Sequence, residues 1–135
     1  MVYNEFKDKK LSLLGMGGMR FPCDENGDVD IKKTEELFDY CIKNGVNYFD
    51  TAFIYPGSEA AIGEIFQKNN IRDKVFIATK FPPQLMRSTE ILDKLLGEQL
   101  KRLRTDHVDF FLFHIFKGIF TIFHKKVARK VYNSQ

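Results

Sequence analysis

The sequence predicts an α/β fold in which a parallel sheet is covered by helices. Three observations lead there. Short apolar runs recur at 46–50, 75–79 and 108–113. Between them lie segments with apolar residues at helical spacing. Each apolar run is followed by turn or capping residues, as in repeated strand–helix units.

The first unit opens with an apolar run over 11–17 that ends in glycines and reads as a buried strand. Asp28 and Asp30 then offer carboxylates to a helix N-terminus. Ile31, Thr34, Phe38 and Cys41 mark the apolar face of that helix, and Asn44-Gly45 stops it. The second strand spans 46–50 and leads into a loop broken by Pro56-Gly57. Ser58 is placed to cap the next helix, whose apolar face is Ile62, Ile65 and Phe66. The third strand, 75–79, runs into Lys80 and Pro82-Pro83. Ser88 or Thr89 caps a helix with the stripe Leu92, Leu95, Leu96, Leu100 and Leu103. The fourth strand, 108–113, ends at His114. The count is four strands with three helices between them.

Composition narrows the class. The chain has 135 residues, 44% of them hydrophobic and 29% charged, as expected of a globular domain. Five of its 21 basic residues (Lys117, Lys125, Lys126, Arg129 and Lys130) lie in 115–135, where there is no acid. The remaining 16 face 18 acidic residues in 1–114, a net of −2, which does not fit a nucleic-acid-binding body. Cys23 and Cys41 stand 18 apart, form no CxxC pair and read as buried free thiols. The polar N-terminus shows no secretory signal, and the most apolar stretch is too short and too charged to span a membrane. A cytoplasmic location is expected.

Three strands end in Asp50, Lys80 and His114, and Tyr55 lies in the loop leaving the strand that ends at Asp50. The C-terminal edge of a parallel sheet is where such folds place their active sites. Singly, each residue has an ordinary reading: a strand-end cap, a surface aromatic, a solvated lysine, a satisfied core histidine. Jointly they make chemical sense. A phenol ionises near pH 10, too high to give up a proton easily at neutral pH. A lysine ammonium held close favours the phenolate, and a carboxylate holds the lysine. An imidazole nearby can orient a carbonyl oxygen or share the proton transfer. Together they form a general acid poised to protonate an oxygen as charge develops on it.

Gly45-Val46-Asn47-Tyr48-Phe49-Asp50-Thr51-Ala52, with Tyr55 and Ser58-Glu59, is very similar to the second-strand signature of the aldo-keto reductases. Ile77-Ala78-Thr79-Lys80 resembles the segment carrying that family's lysine. Leu100-Lys101-Arg102-Leu103-Arg104-Thr105-Asp106-His107-Val108-Asp109, running into His114, resembles its third-helix-to-fourth-strand motif. Leu14-Gly15-Met16-Gly17-Gly18-Met19-Arg20 resembles its first strand. The resemblance implies a parallel (β/α) TIM-barrel type of fold, truncated to about the first four βα units, with 1–114 as the N-terminal half of the barrel. It also implies reduction of an aldehyde or ketone by NADPH, with NADH left open. Tyr55 would donate the proton, Asp50 and Lys80 would tune it, and His114 would orient a small carbonyl substrate. Gly18, Met19 and Arg20, with Asp50, would border the nicotinamide.

Met19-Arg20-Phe21-Pro22 and Lys80-Phe81-Pro82-Pro83 resemble a bacterial subgroup with an added iron–sulfur domain. Two distant cysteines do not supply a cluster site. The run Gly15-Met16-Gly17-Gly18-Met19-Arg20 begins like a dinucleotide fingerprint but has arginine at the third glycine position. His107, His114 and His124 lack metal-ligand spacing, so no metal is predicted.

Residues 115–135 read as a divergent, basic, amphipathic tail. It fits a helix lying on a membrane or over a sheet, or a chance sequence following a frameshift. A half-barrel would expose strand edges, so a homo-oligomer covering them is expected. The alternative to a working reductase is an inactive, truncated remnant or self-associating module of the same family.

Overall fold

The computed structural model describes residues 1–85 and 88–114, and the expectations placed on 115–135 lie outside them. Two antiparallel strands, β1 (Tyr3–Phe6) and β2 (Lys9–Ser12), form an N-terminal hairpin. There follow β3 (Met16–Gly17), α1 (Ile31–Lys43), β4 (Tyr48–Asp50), α2 (Ser58–Asn69), β5 (Phe76–Phe81), α3 (Thr89–Leu103) and β6 (Phe110–Phe113). Strands β3-β4-β5-β6 make one parallel sheet in that order, so the expected α/β class holds.

The hairpin corrects the reading of 11–17 as a single strand. The chain turns at Leu13 and Leu14, whose side chains are exposed. Asn47 fixes that turn: its Oδ1 accepts from Ser12 N at 2.8 Å, and its Nδ2 donates to Lys10 O at 2.9 Å. Leu11 and Ser12 therefore pair with the N-terminal strand, and only Met16 and Gly17 enter the parallel sheet. The apolar run hid this turn because its anchor lies 35 residues away.

Alternation along the strands sorts the two faces. Phe49, Ile77 and Phe81 are fully buried and pack under the helices. Phe38 of α1, Phe49 and Phe66 of α2 form a triangle of rings with centroids 5.0–5.5 Å apart. Ile62, Ile65 and Leu103 complete this cluster, and Phe81 with Leu92 forms a second one under α3. Asp50, Ala78 and Lys80 point to the opposite face, because Asp50 pairs with Ala78 and Lys80 stands two residues on.

Helix ends follow the sequence in part. Asp30 caps α1, its side chain accepting from Lys33 N at 3.0 Å, and Gly45 leaves the helix with φ +85°. At α2 the cap is Gly57, with φ +68°, and not Ser58. The Ser58 hydroxyl is instead 2.7 Å from the Thr51 hydroxyl. It ties the helix start to the residue after Asp50. Ser88 occupies the N-cap of α3 without a side-chain bond. Cys23 is exposed and only Cys41 is partly buried, so the expectation of two buried thiols holds for neither in full.

Candidate active site

Each of the four candidate side chains is placed by a strand end or by a loop bonded to one. Gly18 N donates to Asp50 O at 2.7 Å, holding the end of β4 against the segment after β3. Beyond Asp50 the chain continues alongside β5: Thr51 N donates to Ala78 O at 2.8 Å, and Phe53 N to Lys80 O at 2.9 Å. Two turns then fix Tyr55, whose N donates to Ala52 O at 3.0 Å and whose O accepts from Ser58 N at 3.2 Å. His114 follows β6, its N donating to Phe81 O at 2.8 Å.

The four side chains meet. Lys80 Nζ donates to Asp50 Oδ1, and also to Thr51 O at 2.9 Å. The same ammonium lies 5.1 Å from the centroid of the Tyr55 ring. Tyr55 and His114 stand edge to face, with centroids 5.4 Å apart and planes at 88°. His114 Nδ1 is buried and has no hydrogen-bond partner among the described residues. Residues separated by up to 64 positions thus share one site, as the strand-end argument expects.

Electrostatics distinguish the groups. The His114 pKa is lowered, first by burial and then by the Lys80 charge, against an opposing pull from Asp50. The imidazole is therefore neutral near pH 7, able to offer one N–H and one lone pair. Tyr48 also lies close to Asp50, but its pKa is raised, first by burial and then by the Asp50 charge. Of these two phenols, Tyr55 is the one whose ring the Lys80 ammonium lies over.

The residues expected to border a cofactor differ among themselves. Gly18 is buried, and a Cβ there would meet Ser58 Oγ at 2.5 Å and Asp50 O at 3.0 Å. Met19 and Arg20 are exposed beside it. Among the described residues a Cβ on Gly17 would meet nothing within 4 Å, so space lies next to Asp50. A cavity of about 560 Å³ extends from there to the hairpin, lined among others by Asp50, Gly17, Tyr48 and Phe110. Tyr55, Lys80 and His114 do not line it. Among the described residues no cluster of side chains suits a metal ion.

A second polar group lies behind the site and was not singled out from the sequence. Glu59, Thr79 and Gln99 are buried together between the sheet and helices α2 and α3. Glu59 Oε1 accepts from Thr79 Oγ1 and from Gln99 Nε2, both at 2.7 Å. The available signal was Gln99 itself, a polar residue set at helical spacing among Leu92, Leu96 and Leu103.

Comparisons with known proteins bear on the family and the fold. The sequence pattern described as the Aldo/keto reductase family matches residues 13–128. The chain belongs to that family. The match runs beyond His114, where the quoted motifs end. The protein named uncharacterized oxidoreductase YrpG, from Bacillus subtilis, is 32% identical over 123 residues, covering 78% of this chain and 36% of the relative. An aldo-keto reductase from Klebsiella pneumoniae, crystallised in complex with NADPH, superposes with a TM-score of 0.80 at 20% identity. That superposition covers 99% of this chain and 47% of the other, and shows the fold. An aldo/keto reductase from Brucella melitensis gives a TM-score of 0.73 at 25% identity, covering 98% of this chain and 49% of that one. This member of the family therefore spans about a third to a half of the length of these proteins. The four parallel strands lie side by side in chain order, and no described helix is long and apolar enough to cross a membrane.

Proposed function

We propose that the chain carries the proton-transfer half of an NADPH-dependent carbonyl reductase, with Tyr55 as the proton donor. The observation that carries this reading is the Lys80 ammonium, held by Asp50 and lying over the Tyr55 ring. NADPH, when bound, supplies the hydride that reduces the carbonyl carbon. The reacting end of such a cofactor suits the residues present: among the described residues open space lies beside Gly17 and Asp50, and the buried His114 Nδ1 has no polar partner. The Klebsiella pneumoniae protein, crystallised with NADPH, supports the choice of cofactor.

The chain's own groups then act as follows. His114, neutral, orients the carbonyl oxygen of an aldehyde or ketone through a ring nitrogen. Tyr55 gives its phenolic proton to that oxygen as negative charge develops there. Lys80 stabilises the phenolate left behind, and Asp50 keeps the ammonium in place. Gly18, Met19 and Arg20 border the cofactor's nicotinamide end. The test is oxidation of NADPH by the purified chain across a panel of aldehydes, with Tyr55→Phe in parallel. Turnover abolished by Tyr55→Phe supports the reading. Equal turnover in the two proteins, or none from folded native protein, contradicts it.

A second reading has its own observation. Among the described residues, β3 and β6 are the two edges of the parallel sheet, and Leu112 of β6 is exposed. Such edges recruit further strands. A self-associating form of the chain would cover them, and sedimentation of a purely monomeric species would rule it out.

A further inference from the structure

We propose that Glu59 is a positioning residue for Lys80, acting from the opposite face of the sheet through Gln99. The inference rests on the reading of Lys80 as the partner of Tyr55. Thr79 and Lys80 are neighbours on β5, so their side chains point to opposite faces. Lys80 enters the site, whereas Thr79 enters the buried network with Glu59 and Gln99. Gln99 Nε2 spans the two: it donates to the Glu59 carboxylate at 2.7 Å and reaches Lys80 O at 3.2 Å.

That carbonyl is a junction. Lys80 O also accepts from Phe53 N at 2.9 Å, and Phe53 lies two residues before Tyr55. Glu59 holds Phe53 from a second side. Its Oε2 accepts from Arg102 Nη1 at 3.3 Å, and the Arg102 guanidinium carbon lies 4.6 Å from the centroid of the Phe53 ring. Ser58, the preceding residue, bonds to Thr51 beside Asp50. One carboxylate, 2% exposed, therefore connects to the strand end carrying Lys80 and to the loop carrying Tyr55. Burying a carboxylate is costly unless its bonds are satisfied. Glu59 thus favours the one arrangement in which Thr79, Gln99 and Arg102 all reach it. A leucine at this place would fill the space without fixing the Lys80 peptide.

Reductive methylation of the full chain, followed lysine by lysine with peptide mass spectrometry, tests this without requiring turnover. In the native protein Lys80, 17% exposed and bonded to Asp50, is expected to react slowly beside Lys33 and Lys68, which are 63% and 61% exposed. Glu59→Gln keeps the side-chain volume, and Gln99→Met keeps the length while removing the bridge. Each is expected to raise the Lys80 rate about ten-fold, the scale of one lost bond to a charged group, and to leave Lys33 and Lys68 unchanged. Asp50→Asn is the positive control. The proposal is overturned if Asp50→Asn raises the Lys80 rate and the other two variants do not. It is equally overturned if they raise the partly buried Lys9, 29% exposed, together with Lys80, the signature of general loosening. Should Glu59→Gln fail to fold, Gln99→Met decides. NADPH oxidation is measured in parallel. Its absence in the native chain counts against the reductase reading and leaves the Lys80 rates to judge the positioning. Where turnover is present, kcat is expected to fall with KM unchanged.

Discussion

Lys80 reaches Asp50 across two strands although the two are not register partners. Asp50 pairs with Ala78, and Lys80 lies two residues further along β5 on the same face. The lysine therefore extends back over the strand end, and Thr51 O accepts its second bond at 2.9 Å. Its side chain is 17% exposed and that of Asp50 33%, so the pair is only partly screened by water. Lys80→Met is expected to cost about 1 kcal/mol of stability, because a partly exposed ion pair contributes modestly. Its effect on turnover should be far larger, about 100-fold or more, because the phenolate loses its stabilising charge. Thermal melts and steady-state rates on one preparation separate the two effects.

His114 gives a prediction in pH. Its pKa is lowered from the ordinary 6.5 by burial first and the Lys80 charge second. The folded chain therefore binds fewer protons at this site than the unfolded chain in the interval between the two values. The stability it contributes is fully present above 6.5 and is lost as pH falls through the lower folded value. A proton NMR titration of His114 is expected to give a midpoint below 6.5, and Lys80→Met should move that midpoint up. An unchanged midpoint in the variant would show that the lysine charge does not reach the ring.

Gly63 marks the contact between α2 and α3. A Cβ there would meet Arg102 O and lie 2.7 Å from Leu103 O, both backbone atoms that cannot swing aside. Gly63→Ala is expected to destabilise the chain by about 1–3 kcal/mol through overpacking, despite the better helix propensity of alanine. A lowered denaturation midpoint with an unchanged m-value checks it.

The parallel sheet was legible because its strands are short apolar runs and its helices carry regular stripes, as with Phe38 in α1 and Leu92 in α3. That Asp50, Tyr55, Lys80 and His114 come together was legible because they stand at or just beyond neighbouring strand ends. What escaped depends on partners far away in sequence. Asn47 sets the hairpin turn through Ser12 and Lys10. Arg72 joins the start of β5 to the approach of β6, bonding Asp109 at 2.9 Å and His107 O at 3.1 Å. Glu59 stood inside a quoted motif, yet its role appears only when α2, β5 and α3 are folded together. Ser58 looked like a cap by type, but Thr51 claims its hydroxyl.

The central claim is that a hydride and the Tyr55 proton are delivered to one carbonyl group at this site. Reduction of an aldehyde with NADPH deuterated at the transferring carbon, with mass spectrometry of the alcohol, tests it most directly. The native chain is expected to place one deuterium on the carbinol carbon, and Tyr55→Phe to yield no labelled alcohol while remaining folded. Unlabelled alcohol from the native chain, or equal labelling from both proteins, would contradict the account.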